Sequence, residues 1–184
     1  MIKLILLISG SPRKGGNTDV ICNMLEEELE KFDRVNVVRI CDYNIKPCIS
    51  CRECVKKGEC LIEDDMKKIY PLLFKAKAIV IISPVYFNNV TAQLKTFIDR
   101  TWCIRGKLKN KIGAAIVVGR RYGHEMAINA IHSFFLKHEM IIGTRGIVVM
   151  GYEKGEAKKD KEGIRDVKKL AKRIAELLER VGKQ

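Results

Sequence analysis

Unbroken apolar runs of strand length alternate with stretches of helical period along this chain, and that alternation restricts the folds open to it. The runs are KLILLIS from Lys3, RVNVVRI from Arg34, AIVIIS from Ala78, IGAAIVVG from Ile112, and a fifth inside GTRGIVVM from Gly143. Runs that are apolar throughout suit parallel strands covered on both faces. Between them the pattern predicts helices. Thr18 is placed to cap one running to about Phe32, with Val20, Ile21, Met24, Leu25 and Leu29 on one face. Another starts near Asp64 and is ended or bent at Pro71. A third runs from about Thr91 past Trp102, and a fourth covers about Glu125 to Glu139. The last, from about Ala157, carries Ile164, Val167, Leu170, Ala171, Ile174, Leu177, Leu178 and Val181 as its stripe. Repeated β-α units imply an α/β protein with a doubly wound parallel sheet of five strands. Its 184 residues are expected to form a single domain over 1–184. The one long insertion, residues 42–63, follows the second strand, and long loops in compact domains are usually functional.

Composition narrows the setting. No apolar run reaches the ~18 residues of a membrane span. The start, MIKLILLISGSPRKGGNT, reads as a buried strand entering a glycine-rich loop rather than as a signal peptide. A cytoplasmic protein with reduced thiols is the expectation. Seven cysteines then point to metal or redox chemistry rather than a disulfide scaffold. The net charge of +13 raises nucleic-acid binding as a reading from another class. In the last helix the bases alternate with acids, as on a solvated face. The stretch from Arg100 to His124 contains no acid and is the better candidate for a functional positive field. No interleaved aromatics or recognised module accompany it, which argues against nucleic acid.

Two loops carry binding chemistry. SGSPRKGGNT joins the first strand to the first helix: Gly10, Gly15 and Gly16 permit close backbone approach, while Ser11, Arg13, Asn17 and Thr18 add donors at a helix start. Gly16 stands where a Walker A loop needs lysine, and the GxGxxG spacing is absent, so an isolated phosphate fits better than a triphosphate or dinucleotide. SPVYFNNVT follows the third strand. Pro84, Val85, Tyr86, Phe87 and Asn88 there offer aromatic surface and polar edges. In the doubly wound order 2-1-3-4-5 these two loops share the switch-point crevice. GRRYGH, beginning at Gly119, closes it from the far side. His124 lies beside that loop and is a candidate for proton transfer; His132 and His138 fall within a helix.

GSPRKGGNT and SPVYFNNVTAQLKTFIDR resemble the signature loops of the flavodoxin-like NAD(P)H-dependent FMN reductase superfamily, from Ile2 to about Val149. The resemblance implies a flavodoxin-like fold. It implies FMN with its phosphate held by Ser11, Arg13, Gly16, Asn17 and Thr18. Its ring would lie against Pro84, Val85, Tyr86, Phe87 and Asn88, with Gly119 alongside. It further implies a homodimer or homotetramer with the helix from Thr91 to Asp99 at a contact.

The insertion contains CISCRECVKKGEC, with Cys48, Cys51 and Cys54 at every third residue and Cys60 after them. Zinc knuckles use two separated Cys-x2-Cys pairs, whereas Cys-x2-Cys-x2-Cys suits wrapping a larger iron–sulfur cluster. Iron–sulfur, zinc and free redox thiols all remain open on spacing alone. Cys22, Cys41 and Cys103 lie in or beside regular elements and read as packing residues. A cysteine motif after the second strand of an FMN domain resembles the iron–sulfur flavoproteins of archaea and anaerobic bacteria. That resemblance implies a [4Fe-4S] cluster on Cys48, Cys51, Cys54 and Cys60, fed by an electron-donor protein such as ferredoxin, with the flavin passing electrons to a small acceptor. The alternative is a cluster-free NAD(P)H-dependent FMN or quinone reductase with structural zinc or free thiols.

Overall fold

A computed structural model describes residues 2–182; residues 1, 183 and 184, the ends of the single domain expected over 1–184, lie outside them. β1 (Leu4–Ser9), β2 (Arg34–Arg39), β3 (Ala78–Pro84) and β4 (Ile112–Gly119) pair in parallel in the order β2-β1-β3-β4. The fifth position is divided. β5 (Ile141–Ile142) pairs with the start of β4 and β6 (Ile147–Met150) with its end. Between them Gly146 takes φ +105, a conformation open to glycine, and the strand is interrupted there. The order 2-1-3-4-5 thus holds, with a broken last strand.

The helices are α1 (Asn17–Leu29), α2 (Glu53–Lys57), α3 (Met66–Lys75), α4 (Ala92–Arg100), α5 (His124–Lys137) and α6 (Lys161–Val181). One sheet face sends Leu6, Ile8, Ile79, Ile81, Ala115 and Val117 into a core with residues of α3, α4 and α5. The other sends Ile5, Leu7, Val80, Ile82 and Ile116 into a core with α1 and α6. Residues i and i+1 of a strand face opposite ways, so both layers need apolar residues, which is why the runs are unbroken. Gly113 in β4 lets α5 settle closely: a Cβ there would lie 2.6 Å from the Phe135 ring. No described helix is long and apolar enough to cross a membrane.

Three local expectations change. Thr18 does not cap α1; it is buried in the first turn, Gly16 is the N-cap residue, and no side chain caps the helix. Pro71 does not end α3: the helix continues to Lys75. An interior proline costs about 3 kcal/mol. Burial of Met66, Ile69 and Leu73 offsets this, at roughly 1.5–3 kcal/mol per side chain. The helix expected past Trp102 becomes 3-10 after Arg100, over Thr101–Ile104.

Several bases of the stretch after Arg100 have separate structural partners. Lys109 pairs with Glu139 at 2.8 Å. Lys111 donates to the carbonyls of Phe74 and Ala76 at the end of α3. Arg105 stacks on Trp102 and Arg120 on Tyr152.

His138 closes the core beneath α5. Its Nε2 lies 3.0 Å from Thr101 Oγ1, and burial holds its pKa down to about 4. An unfolded histidine titrates near 6.5, so between those values the unfolded chain binds more protons. Folding stability should therefore fall as pH drops from about 6.5 towards 4 and then level off in this contribution. Urea melts across that range for wild type and His138→Gln check it; the variant should show the shallower slope.

Candidate functional site

Three loops meet at the carboxyl edge of the sheet. The first follows β1. Gly10 donates its N–H to Ile82 O at 2.8 Å, and Thr91 Oγ1 donates to Gly10 O at 2.6 Å. Thr91 also accepts from Leu94 N and so caps α4. One threonine thereby joins the loop after β1 to the loop after β3. Ser11 Oγ accepts from Arg13 N and donates to Arg13 O, both at 3.2 Å, which shapes the turn. Arg13 is exposed above it. The first-turn N–H groups of α1 lack intrahelical partners, as in any helix, and meet no side-chain cap. They carry the positive end of the helix dipole.

Two residues of this loop are committed elsewhere. The Asn17 side chain donates to Glu153 O at 2.9 Å and accepts from Ala157 N at 3.3 Å, tying α1 to the segment after β6. Asp19, which nothing in the sequence singled out, accepts from Gly15 N at 2.7 Å and faces Arg39 at 3.4 Å.

The second loop is a tight hairpin. Tyr86 and Asn89 exchange backbone hydrogen bonds of 2.8 and 3.0 Å around Phe87 and Asn88. Both central residues have positive φ, +45 and +62. That is the geometry of a type I′ turn, which glycine and asparagine accept and phenylalanine resists by about 1–2 kcal/mol. The turn holds Phe87 entirely in solvent and Tyr86 about half exposed. Strain that displays an apolar ring at a sheet edge is a mark of a functional turn.

The third loop closes against the second. A Cβ on Gly123 (φ +81) would fall 2.4 Å from Asn88 Cα, and one on Gly119 would meet His124 Nε2 at 2.8 Å and Val85 Cγ2 at 3.0 Å. Only bare backbone allows this packing. His124 is buried, with Nε2 lacking a protein partner.

The thiols occupy a separate place. Cys48, Cys51, Cys54 and Cys60 all line one cavity of about 440 Å³, together with Asp99 and Trp102. Asp99 and Trp102 stand at the end of α4 opposite to Thr91. At 1.5 Å per residue the helix carries the thiols about 14 Å along from the crevice. Ser50 and Arg52, flanking Cys51, both have positive φ. Cys48 and Cys51 are exposed, while Cys54 and Cys60 pack partly on the core. Among the described residues no three His, Cys, Asp or Glu side chains converge on a point that would hold a single metal ion.

The ends of the cysteine segment are clamped together. Asp64 accepts from Lys46 N at 2.8 Å and Met66 N at 3.0 Å; Asp65 accepts from Asn44 N at 2.8 Å. Arg100 reaches in from α4, pairs with Asp64 with both side chains out of solvent, and donates to Lys46 O at 2.7 Å. Burial alone would raise the Asp64 pKa. The Arg100 guanidinium and the two backbone N–H groups outweigh it and hold the carboxyl below the usual range.

The chain matches the model of the NADPH-dependent FMN reductases over residues 4–155. It is 36% identical, over an alignment of 191 residues, to an iron-sulfur flavoprotein of Methanocaldococcus jannaschii, covering 97% of this chain and 99% of that one. The chain belongs to the iron-sulfur flavoprotein family. An iron-sulfur flavoprotein of Methanosarcina thermophila is 37% identical, over 96% of this chain and 95% of that one. Among solved structures the fold is shared with RosB, whose structure holds 8-demethyl-8-formylriboflavin-5′-phosphate (TM-score 0.83, 15% identity, 99% of this chain and 81% of that one). It is also shared with an archaeal flavodoxin (TM-score 0.62, 17% identity, 96% of this chain and 99% of that one).

In this iron-sulfur flavoprotein the positions singled out from sequence fall into two groups. Ser11, Arg13, Gly16, Asn17, Thr18, Pro84 to Asn88 and Gly119 lie on the loops at one sheet edge or on the strand and helix ends that border them. Cys48, Cys51, Cys54 and Cys60 share the second cavity. Asp99, Arg100 and Trp102 were missed. Arg100 had a signal: Leu94, Phe97 and Arg100 are spaced by three, so the arginine falls on the buried stripe of α4. A charge there demands a buried partner.

Proposed function

We propose that this protein is an FMN-dependent redox protein that carries a [4Fe-4S] cluster, receives single electrons from a carrier such as ferredoxin and delivers pairs to a small acceptor. The observation that carries the reading is the common cavity of Cys48, Cys51, Cys54 and Cys60 in a chain whose β1 and β3 loops are joined at one crevice. When bound, FMN supplies two-electron chemistry and the cluster one-electron transfer.

The residues fit both groups. The uncapped start of α1, the backbone around Gly16 and the exposed Arg13 guanidinium suit the dianionic phosphate; the buried Thr18 and the Ser11 hydroxyl, which here donates to Arg13 O, would have to turn to add further contacts. Asn17 contributes its backbone N–H, since its side chain holds the α6 side of the fold. Tyr86 and Phe87 present ring surface, and Pro84, Val85, Asn88 and Gly119 complete the wall. The NADPH-dependent description of the matched family supports a flavin site of this kind.

A tetrahedral zinc site gathers four ligands about 2.3 Å from one ion. The Cys-x2-Cys-x2-Cys spacing of thiols that line one cavity suits a larger polynuclear group better. Lys46, Arg52, Lys56 and Lys57 lie in the same segment and offset negative charge. The exposed face beside the thiols, where Ile98, Trp102 and Phe134 border a cavity of about 390 Å³, suits a contact between copies in a homodimer or homotetramer.

Anaerobic purification tests the reading. A yellow-brown protein with about four irons and four labile sulfides per subunit and stoichiometric FMN is expected, with absorbance bleached by dithionite. Stoichiometric zinc without labile sulfide would reject the cluster and leave a plain FMN reductase. Colourless folded protein that takes up no flavin would reject the whole reading. Cys51→Ala should remove at least nine-tenths of the labile iron while FMN content stays stoichiometric, measured by iron assay and flavin release (, about tenfold loss or more).

A further inference from the structure

The hydrogen-bond donors of Arg100 extend beyond the Asp64 pair. Arg100 is 2% exposed, so its donors depend on protein partners; both Nη atoms have them, while Nε has none. Nη1 serves Lys46 O and Asp64 Oδ2; Nη2 serves Asp64 Oδ1 at 3.2 Å and Cys60 Sγ at 3.5 Å. A thiol sulfur is a poor acceptor, and a buried guanidinium facing one gains little. A thiolate sulfur, as a metal ligand requires, is a charged acceptor and makes this a charge-assisted bond. The geometry is therefore built for Cys60 in its ligand form.

We propose that Arg100 is a positioning residue of the thiol cavity, holding Cys60 Sγ by a hydrogen bond from Nη2 and thereby raising the reduction potential of the iron–sulfur group bound there. This rests on the cluster reading above. Of the four thiols, Cys60 is the one anchored from the core side by an arginine, while Cys48 and Cys51 stand in solvent. Hydrogen bonds to ligand sulfurs withdraw electron density from the metal and favour the reduced state. Asp64 keeps the guanidinium oriented: its two oxygens engage both Nη atoms, and its own position is set by Lys46 N and Met66 N. Tyr70 reinforces the same corner by donating to Arg100 O at 2.8 Å. Because Arg100 ends α4 and Thr91 caps its start, the residue that touches Cys60 belongs to the helix that borders the proposed flavin crevice. Helix and thiol cavity are thus held in fixed relation.

The test compares wild type, Arg100→Lys and the double variant R100M/D64L, all purified without oxygen. The double variant removes both charges at once and replaces the pair with apolar volume, a change that buried ion pairs often tolerate. Each protein is assayed for iron, labile sulfide and FMN, and its visible spectrum is followed in a dye-mediated redox titration. Both variants are expected to retain FMN and to show an iron–sulfur midpoint shifted to lower potential, with the flavin midpoint unmoved. Loss of iron from Arg100→Lys, which leaves the Asp64 contacts to Lys46 N and Met66 N in place, with FMN and the far-ultraviolet dichroism intact also supports positioning of Cys60. Full iron content with an unshifted midpoint in the double variant overturns the assignment, whatever Arg100→Lys does. Iron and labile sulfide absent from the wild type, with FMN present, overturns the cluster reading itself, and this inference falls with it; the two failures are thus read from different samples.

Discussion

Asp64→Ala should destabilise the protein by about 3–5 kcal/mol, the cost of leaving one member of a buried ion pair alone. Asp64 and Arg100 are both essentially out of solvent, so water cannot take the place of the lost carboxylate. The substitution also strips acceptors from Lys46 N and Met66 N, freeing the two ends of the cysteine segment from each other. An exposed pair of the same residue types would give 0–1 kcal/mol. Lys95–Asp99, an exposed pair on α4 whose aspartate directly precedes Arg100, is the internal control: Asp99→Ala should cost well under about 1 kcal/mol. Urea denaturation of both variants checks the contrast. Equal, small effects would mean that Arg100 finds another partner. Asp64→Asn, which keeps an acceptor and loses the charge, should fall between the two.

That clamp also marks where sequence reasoning stopped. The parallel sheet was legible because β1, β3 and β4 are buried on both faces, and such runs suit a parallel sheet under two helical layers; the strand order came from the flavodoxin-like resemblance, not from the runs. The loops at Ser11–Thr18 and Pro84–Asn88 were legible for the same reason: they are short, and the ends of neighbouring strands fix where they lie. The divided fifth strand was not. β5 is two residues long, too short to show any period, and β6 buries Ile147 and Val149 while exposing Val148 and Met150. α2 was also missed, because five residues without an apolar stripe carry no helical signature. The cysteine spacing pointed to a shared site. It said nothing of Asp99, Arg100 and Trp102, which reach that site from a helix some forty residues later. Long-range contacts of an irregular loop leave no periodic trace. What remains readable is the anomaly: Arg100 on an apolar stripe and Asp64 at a helix start are ordinary separately and informative together.

The crevice yields the other large effect. Gly123→Ala should weaken FMN binding by roughly 10–100-fold, since each 1.4 kcal/mol is tenfold in affinity. Two costs combine. At φ +81 an alanine carries about 1–2 kcal/mol of backbone strain. Its Cβ would also stand 2.4 Å from Asn88 Cα, and that atom is backbone, which cannot swing aside as a side chain can. The hairpin of Tyr86, Phe87, Asn88 and Asn89 must therefore shift as a unit, and it already holds Phe87 and Asn88 at positive φ. Displacing it moves the aromatic wall relative to the phosphate loop, to which it is tied through Thr91 and Gly10. The thiol cavity lies at the other end of α4 and shares no residue with this contact, so iron content should stay at the wild-type level. Flavin-fluorescence titration of flavin-free protein, with iron assayed on the same samples, measures both quantities. Unchanged FMN affinity would show that the flavin lies elsewhere than between these loops. A parallel loss of iron would show that the two sites are not mechanically independent along α4.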